Sequence, residues 1–181
     1  MAATPPLAPE NSGAEPSTPA AWVAEARRLH AAERNTSALA ALDRALALDA
    51  AYGPAWLGKA LVLEDLERFE PALAAYDALL EHAGDNQGLR TAAWSNRAGL
   101  LLRAEHFPEA LDSLDHALAL DPENHLLVLN KGLLLLQGFE NPKEALPWLQ
   151  RAAAAGLPEA AEPLAFCRQA TASEPHRTTL N

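Results

Sequence analysis

Isoleucine is absent from this 181-residue chain, and valine occurs only at Val23, Val62 and Val128. With so few β-branched aliphatic residues, there is little to build a sheet from. Cys167 is the only cysteine, which excludes an internal disulfide framework and any CxxC-type zinc site. A small apolar residue packed in a helix is the role left for it. Lysine appears only at Lys59, Lys131 and Lys143, and Arg27-Arg28 is the only adjacent basic pair. The balance of 14 basic against 24 acidic residues gives a formal charge of −10. Without a basic stripe or tail, the chain repels a phosphate backbone more than it attracts one, so nucleic acid is not an expected partner. No apolar run approaches the ~18 residues of a membrane span. The opening MAATPPLAPE has neither the positive region nor the apolar stretch of a secretory signal. These two absences give the expectation of no membrane span and a cytoplasmic location.

Alanine and leucine dominate instead, and they are the strongest helix formers. An all-α chain follows. Its length suits one domain, with a core large enough to need neither disulfide nor metal. Pro5, Pro6, Pro9 and Pro16 crowd the segment 1–18 and predict an extended, disordered lead-in. The aperiodic polar stretch 173–181 predicts a flexible tail.

Between these ends the chain repeats itself. The interval from Trp22 to Trp56 recurs from Leu29 to Leu63 and from Ala38 to Ala72, a period of about 34 residues. Ala41-Leu-Asp-Arg-Ala-Leu-Ala-Leu-Asp49 returns almost unchanged as Ser113-Leu-Asp-His-Ala-Leu-Ala-Leu-Asp121. Trp94 opens a third unit four positions later than that period would place it, which puts a four-residue insertion around Gly84–Gly88. Val128 anchors a fourth unit, with one extra residue before Asn141. Each unit carries a small residue four positions after the anchor (Ala26, Ala60, Ala98, Gly132) and a leucine three further on (Leu29, Leu63, Leu101, Leu135). Its second half carries Ala38, Ala72, Ala110 and Ala145, then Leu42, Tyr76, Leu114 and Leu149. Apolar residues at i, i+4 and i+7 make one stripe per helix. A small residue at a helix crossing lets the backbones approach. One such hairpin cannot bury its stripe alone, but a stack of them does.

This pattern resembles the tetratricopeptide repeat. The resemblance implies a right-handed superhelix, an α-solenoid of antiparallel helix hairpins, with repeats at about 19–52, 53–90, 91–124 and 125–158. A capping helix over about 159–171 closes the domain at 172, with Leu164, Phe166 and Cys167 available to cover the end of the stack. The sequence departs from the family pattern where Glu25, Lys59, Arg97 and Lys131 replace an apolar residue before the small one. Their stems are expected to lie along apolar surface. Asn35, Pro108 and Asn141-Pro142-Lys143-Glu144 read as starts of second helices. Pro147 is expected to kink or loosen the last of these, and Pro163 is a candidate start for the closing helix.

No catalytic constellation is visible, so the chain is not expected to be an enzyme or to need a cofactor. Asp112, Asp115 and His116 share one helix face at a spacing that gathers metal ligands, but the register puts that face outside, where solvated charge is the simpler reading. The stretch Glu64-Asp65-Leu66-Glu67 reads as solvent-exposed charge. The resemblance implies a concave groove lined by the first helices. Its register puts Val23, Ala24, Arg27 and His30 there, then Leu57, Leu61 and Glu64, then Ser95, Asn96, Gly99 and Arg103, and finally Leu129, Asn130, Leu133 and Gln137. The partner-binding set is Arg27, Leu57, Leu61, Ser95, Asn96, Arg103, Leu129, Asn130 and Leu133. Asn96 and Asn130 would either pair with a peptide backbone or be no more than frequent, partly exposed residues at that repeat position. The leucines would supply side-chain pockets, unless the closing helix covers Leu133 and makes it core. The positions at which some members of the family clamp a carboxylate, among them Ala20, Ala24, Gly58 and Ala92, hold no basic residue. The expected function is therefore a non-catalytic adaptor or scaffold holding a protein or peptide partner. A small dedicated chaperone shielding a client is the alternative, and an enzyme or metal-binding protein a remote one. Self-association through the end of the stack is a further possibility.

Overall fold

The computed structural model describes residues 16–172, and the expected lead-in (but for its last three residues) and tail lie outside them. Among the described residues there are nine α-helices, one 3-10 turn and no strand. The helices are α1 (Pro19–Ala31), α2 (Asn35–Leu48), α3 (Gly53–Asp65), α4 (Phe69–His82), α5 (Gln87–Arg103), α6 (Phe107–Leu120), α7 (His125–Gln137), α8 (Pro142–Ala154) and α9 (Ala161–Ala172). Odd and even helices pair as antiparallel hairpins, and each even helix also packs on the next odd one. First helices of neighbouring hairpins touch, α1 with α3 and α3 with α5. They form the inner layer of the curve, and α2, α4, α6 and α8 form the outer one.

The repeat register is the packing register. The small positions Ala26, Ala60, Ala98 and Gly132 are buried, with Leu29, Leu63, Leu101 and Leu135 beside them. A Cβ added at Gly132 would meet Leu149 at 2.9 Å, so that crossing closes only without a side chain. Glu33, Glu67 and Glu105, at the hairpin turns, have φ of 58, 55 and 60°. In each turn the following N–H reaches back five residues, from Arg34 to the Leu29 carbonyl, Arg68 to Leu63 and His106 to Leu101, each at 2.9 Å. This is the Schellman closure, which normally uses glycine at the left-handed position. The fourth turn absorbs its extra residue by spanning Leu135 to Asn141, with Glu140 at φ 51°.

Several local expectations are corrected. The four residues inserted around Gly84–Gly88 lengthen a helix: α5 has 17 residues where α3 has 13, one more helical turn, capped by Asn86. Asn35 does not cap α2; its Oδ1 lies 2.9 Å from His30 Nδ1, and Arg34 occupies the cap position without a side-chain bond. Asn141 does cap α8 through the Glu144 N–H. α8 runs unbroken through Pro147, whose exposed side leaves the unpaired carbonyl one turn earlier open to water. The closing segment is a 3-10 turn, Pro158–Ala160, followed by α9, with Pro163 inside the first turn of α9. Leu164 and Cys167 cover the stack end, but Phe166 is 57% exposed. Positions 164 and 167 share a helix face and 166 does not.

The charged positions do more than lay down their stems. Lys59 pairs with Asp43 at 2.7 Å, Arg97 with Asp77 at 3.0 Å, and Lys131 with Asp115. Each pair ties a first helix to the second helix of the hairpin before it. Lys59 and Arg97 also lie over the faces of Trp56 and Trp94, at 5.4 and 5.6 Å from the ring centroids. Asp115 is thus held by Lys131, and His116 stacks on Trp94 with centroids 4.3 Å apart. Among the described residues, no group of three or more His, Cys, Asp or Glu is placed to hold a metal.

Candidate partner-binding groove

Two clefts open on the inner layer, one toward each end. The first lies between α1 and α3, where Arg27, Leu57 and Leu61 meet Val23, His30 and Pro54. Its floor is Leu42, reached past Gly58, where an added Cβ would come within 2.9 Å of the Leu42 side chain. The second lies between α5 and α7, where Asn130 and Leu133 meet Leu102, Glu105, Phe107 and Gln137. Leu61 is 42% exposed, so a large apolar side chain faces solvent in the isolated chain.

A polar cluster separates the clefts. The Tyr76 hydroxyl donates to Glu64, and Asn96 is also within its hydrogen-bonding reach. Burial is the main cause holding the Tyr76 hydroxyl protonated far above its ordinary range; the bond to Glu64 and the Glu64 charge add to it, and Asn96 opposes it. Arg103 reaches the other Glu64 oxygen at 3.5 Å and lies over Phe69, 5.2 Å from the ring centroid. Glu64 is therefore not free surface charge, as the sequence suggested, but the centre of this cluster. Further along, His30 Nε2 lies 2.9 Å from Asp65.

The helix order, the repeated small-residue crossings and the inner layer of first helices decide the family, together with a match over residues 23–88 and 95–162 to the tetratricopeptide repeat model. The chain belongs to the tetratricopeptide repeat family. No curated protein matches it in sequence. Among solved structures it is similar to YrrB, reported as a tetratricopeptide repeat protein with an unusual peptide-binding site. The TM-score is 0.68 and the identity 20%, over 86% of this chain and 78% of that one. A MamA double mutant, reported as RS-1 ArsTM, gives a TM-score of 0.73 at 16% identity, over 88% of both chains. PilF of Pseudomonas aeruginosa gives 0.69 at 22%, over 85% of this chain and 69% of that one. At these identities the likeness shows the fold. As a tetratricopeptide repeat chain, it is built as a protein-interaction module.

The structure separates the nine residues of the expected binding set. Arg27, Leu57 and Leu61 come together in the first cleft, and Asn130 and Leu133 in the second. Asn96 and Arg103 meet in the cluster between them. Ser95 is half-buried and lines neither cleft described above. Leu129 is a correction: it is only 5% exposed and belongs to the core beside Val128 and Leu127. Val23, expected to be presented, is also 5% exposed and contributes only a wall. A helix 13 residues long inside a stack is covered on more than one side, so a one-stripe register overcounts its open positions. The sequence reading missed Leu102, Phe107 and Pro54. Phe69 and Phe107, separated by the same interval as Trp56 and Trp94, are the signal that marked an aromatic at the start of these second helices.

Proposed function

We propose that this chain is a non-catalytic adaptor that holds a segment of a partner protein along its inner layer. The observation that carries the reading is the first cleft, with apolar walls, a leucine left open to solvent and an arginine at its mouth. The amides of Asn130 and Gln137 at the second cleft offer donors and acceptors to a peptide backbone whatever its side chains. The peptide-binding site reported for YrrB supports this use of the fold. Affinity capture from source-cell lysate tests it, comparing wild type with Leu61→Arg plus Asn130→Ala and with an outer-layer control, Ala47→Arg. Circular dichroism first establishes that all three are folded. A discrete partner retained by wild type and control but lost by the groove variant is the expected result. Equal capture by all three refutes the inner-layer reading.

A further inference from the structure

The first cleft also defines the chemistry of what enters it. Resting on the reading above, we infer that it takes one aliphatic side chain flanked by a single carboxylate, presented by a segment of a partner protein. The cleft has a volume of about 120 Å³, somewhat below the ~150 Å³ of an apolar cavity that accepts benzene. It therefore suits a leucine- or valine-sized group. Its walls of Val23, Ala26, Leu57, Leu61 and Val62 offer no partner to a polar side chain, so a charged group is excluded from the interior.

The charge at the mouth is what commits the occupant. Arg27 is exposed and, alone among the cations facing the groove, has no ion pair among the described residues. His30 faces Asp65, Arg103 faces Glu64, and the adjacent Arg28 is held by Glu25 at 2.6 Å. A carboxylate beside the buried aliphatic residue completes Arg27 with a charge-assisted bond. The second cleft has Glu105 at its edge, the opposite sign, so the acidic residue belongs at the α1–α3 end. The net charge of −10 disfavours a run of acidic residues, which limits the motif to one carboxylate in an otherwise neutral or basic segment.

The test is selection of random ten-residue peptides by display on the full chain, alongside Arg27→Glu and Leu61→Arg. Wild type is expected to enrich a leucine or valine within three positions of one Asp or Glu. Arg27→Glu is expected to exchange the acidic preference for Lys or Arg and to weaken the best wild-type peptide about five- to tenfold, as a reversed surface pair should. An acidic preference unchanged in Arg27→Glu, or peptides without the aliphatic–acidic pair, overturns the inference. If those same peptides are still lost in Leu61→Arg, the groove reading survives; peptides indifferent to Leu61→Arg sink both. Leu7 and Glu10 of the chain itself form a similar pair. Tighter peptide binding after Leu7→Asn plus Glu10→Lys would identify that segment as the occupant and overturn the assignment to a partner.

Discussion

Glu33, Glu67 and Glu105 occupy left-handed backbone, with φ of 58, 55 and 60°, at positions where a Schellman turn favours glycine. An L-residue there costs about 1–2 kcal/mol, because its Cβ crowds the following carbonyl. Glycine removes that cost and loses about 0.5–1 kcal/mol of it again through its greater freedom when unfolded. The difference is a gain of roughly 0.5–1 kcal/mol per site. The three turns lie in separate hairpins, so their effects should add, to about 1.5–3 kcal/mol for Glu33→Gly, Glu67→Gly and Glu105→Gly together. For a domain of this size that raises the melting temperature by roughly 3–12 °C. All three side chains are exposed, and each carries negative charge beside a helix C-terminus, where it is unfavourable. The triple alanine variant controls for this, since it removes the charge but keeps the Cβ. Thermal and urea unfolding of both variants, followed by far-ultraviolet circular dichroism, gives the comparison. A glycine variant no more stable than the alanine variant would refute the strain argument.

Three further outcomes follow from the packing. Gly132→Ala puts a Cβ 2.9 Å from two Leu149 carbons and 3.2 Å from Trp148 Cβ, so it should destabilise by about 1–3 kcal/mol in urea melts. Because the Tyr76 hydroxyl is held protonated above its unfolded range, stability is full below about pH 10 and falls as pH rises, by up to ~1.4 kcal/mol per unit. Tyr76→Phe should flatten that alkaline decline in denaturation curves taken at increasing pH. Cys167 is fully buried, and burial raises its thiol pKa. Thiol labelling at neutral pH should therefore be slow, and Leu164→Ala, which loosens α9, should speed it while the rest of the stack stays helical.

The helices, their pairing into hairpins and most of the core are legible in the residue spacing alone. The spacing of Trp22, Trp56, Trp94 and Val128, with Ala or Gly four residues on, states which faces meet, because a helix places i, i+4 and i+7 on one side. What lines the groove was only partly legible. Leu61 stands open and Leu57 is half-buried, but Leu129 at a register matching Leu57 is buried, since exposure depends on how closely the next helix approaches. Glu64 looked like surface charge because nothing in the local sequence shows Tyr76 and Arg103 arriving from α4 and α5. The repeat period shows that four residues are inserted near Gly84–Gly88 but not what they form; Asn86 caps an added helical turn and Gln87 reaches the Leu120 carbonyl. The tertiary structure alone decided which arginine remains unpaired. Arg27 and Arg103 look alike in sequence, and only the folding of Glu64 against Arg103 leaves Arg27 as the open cation at the first cleft.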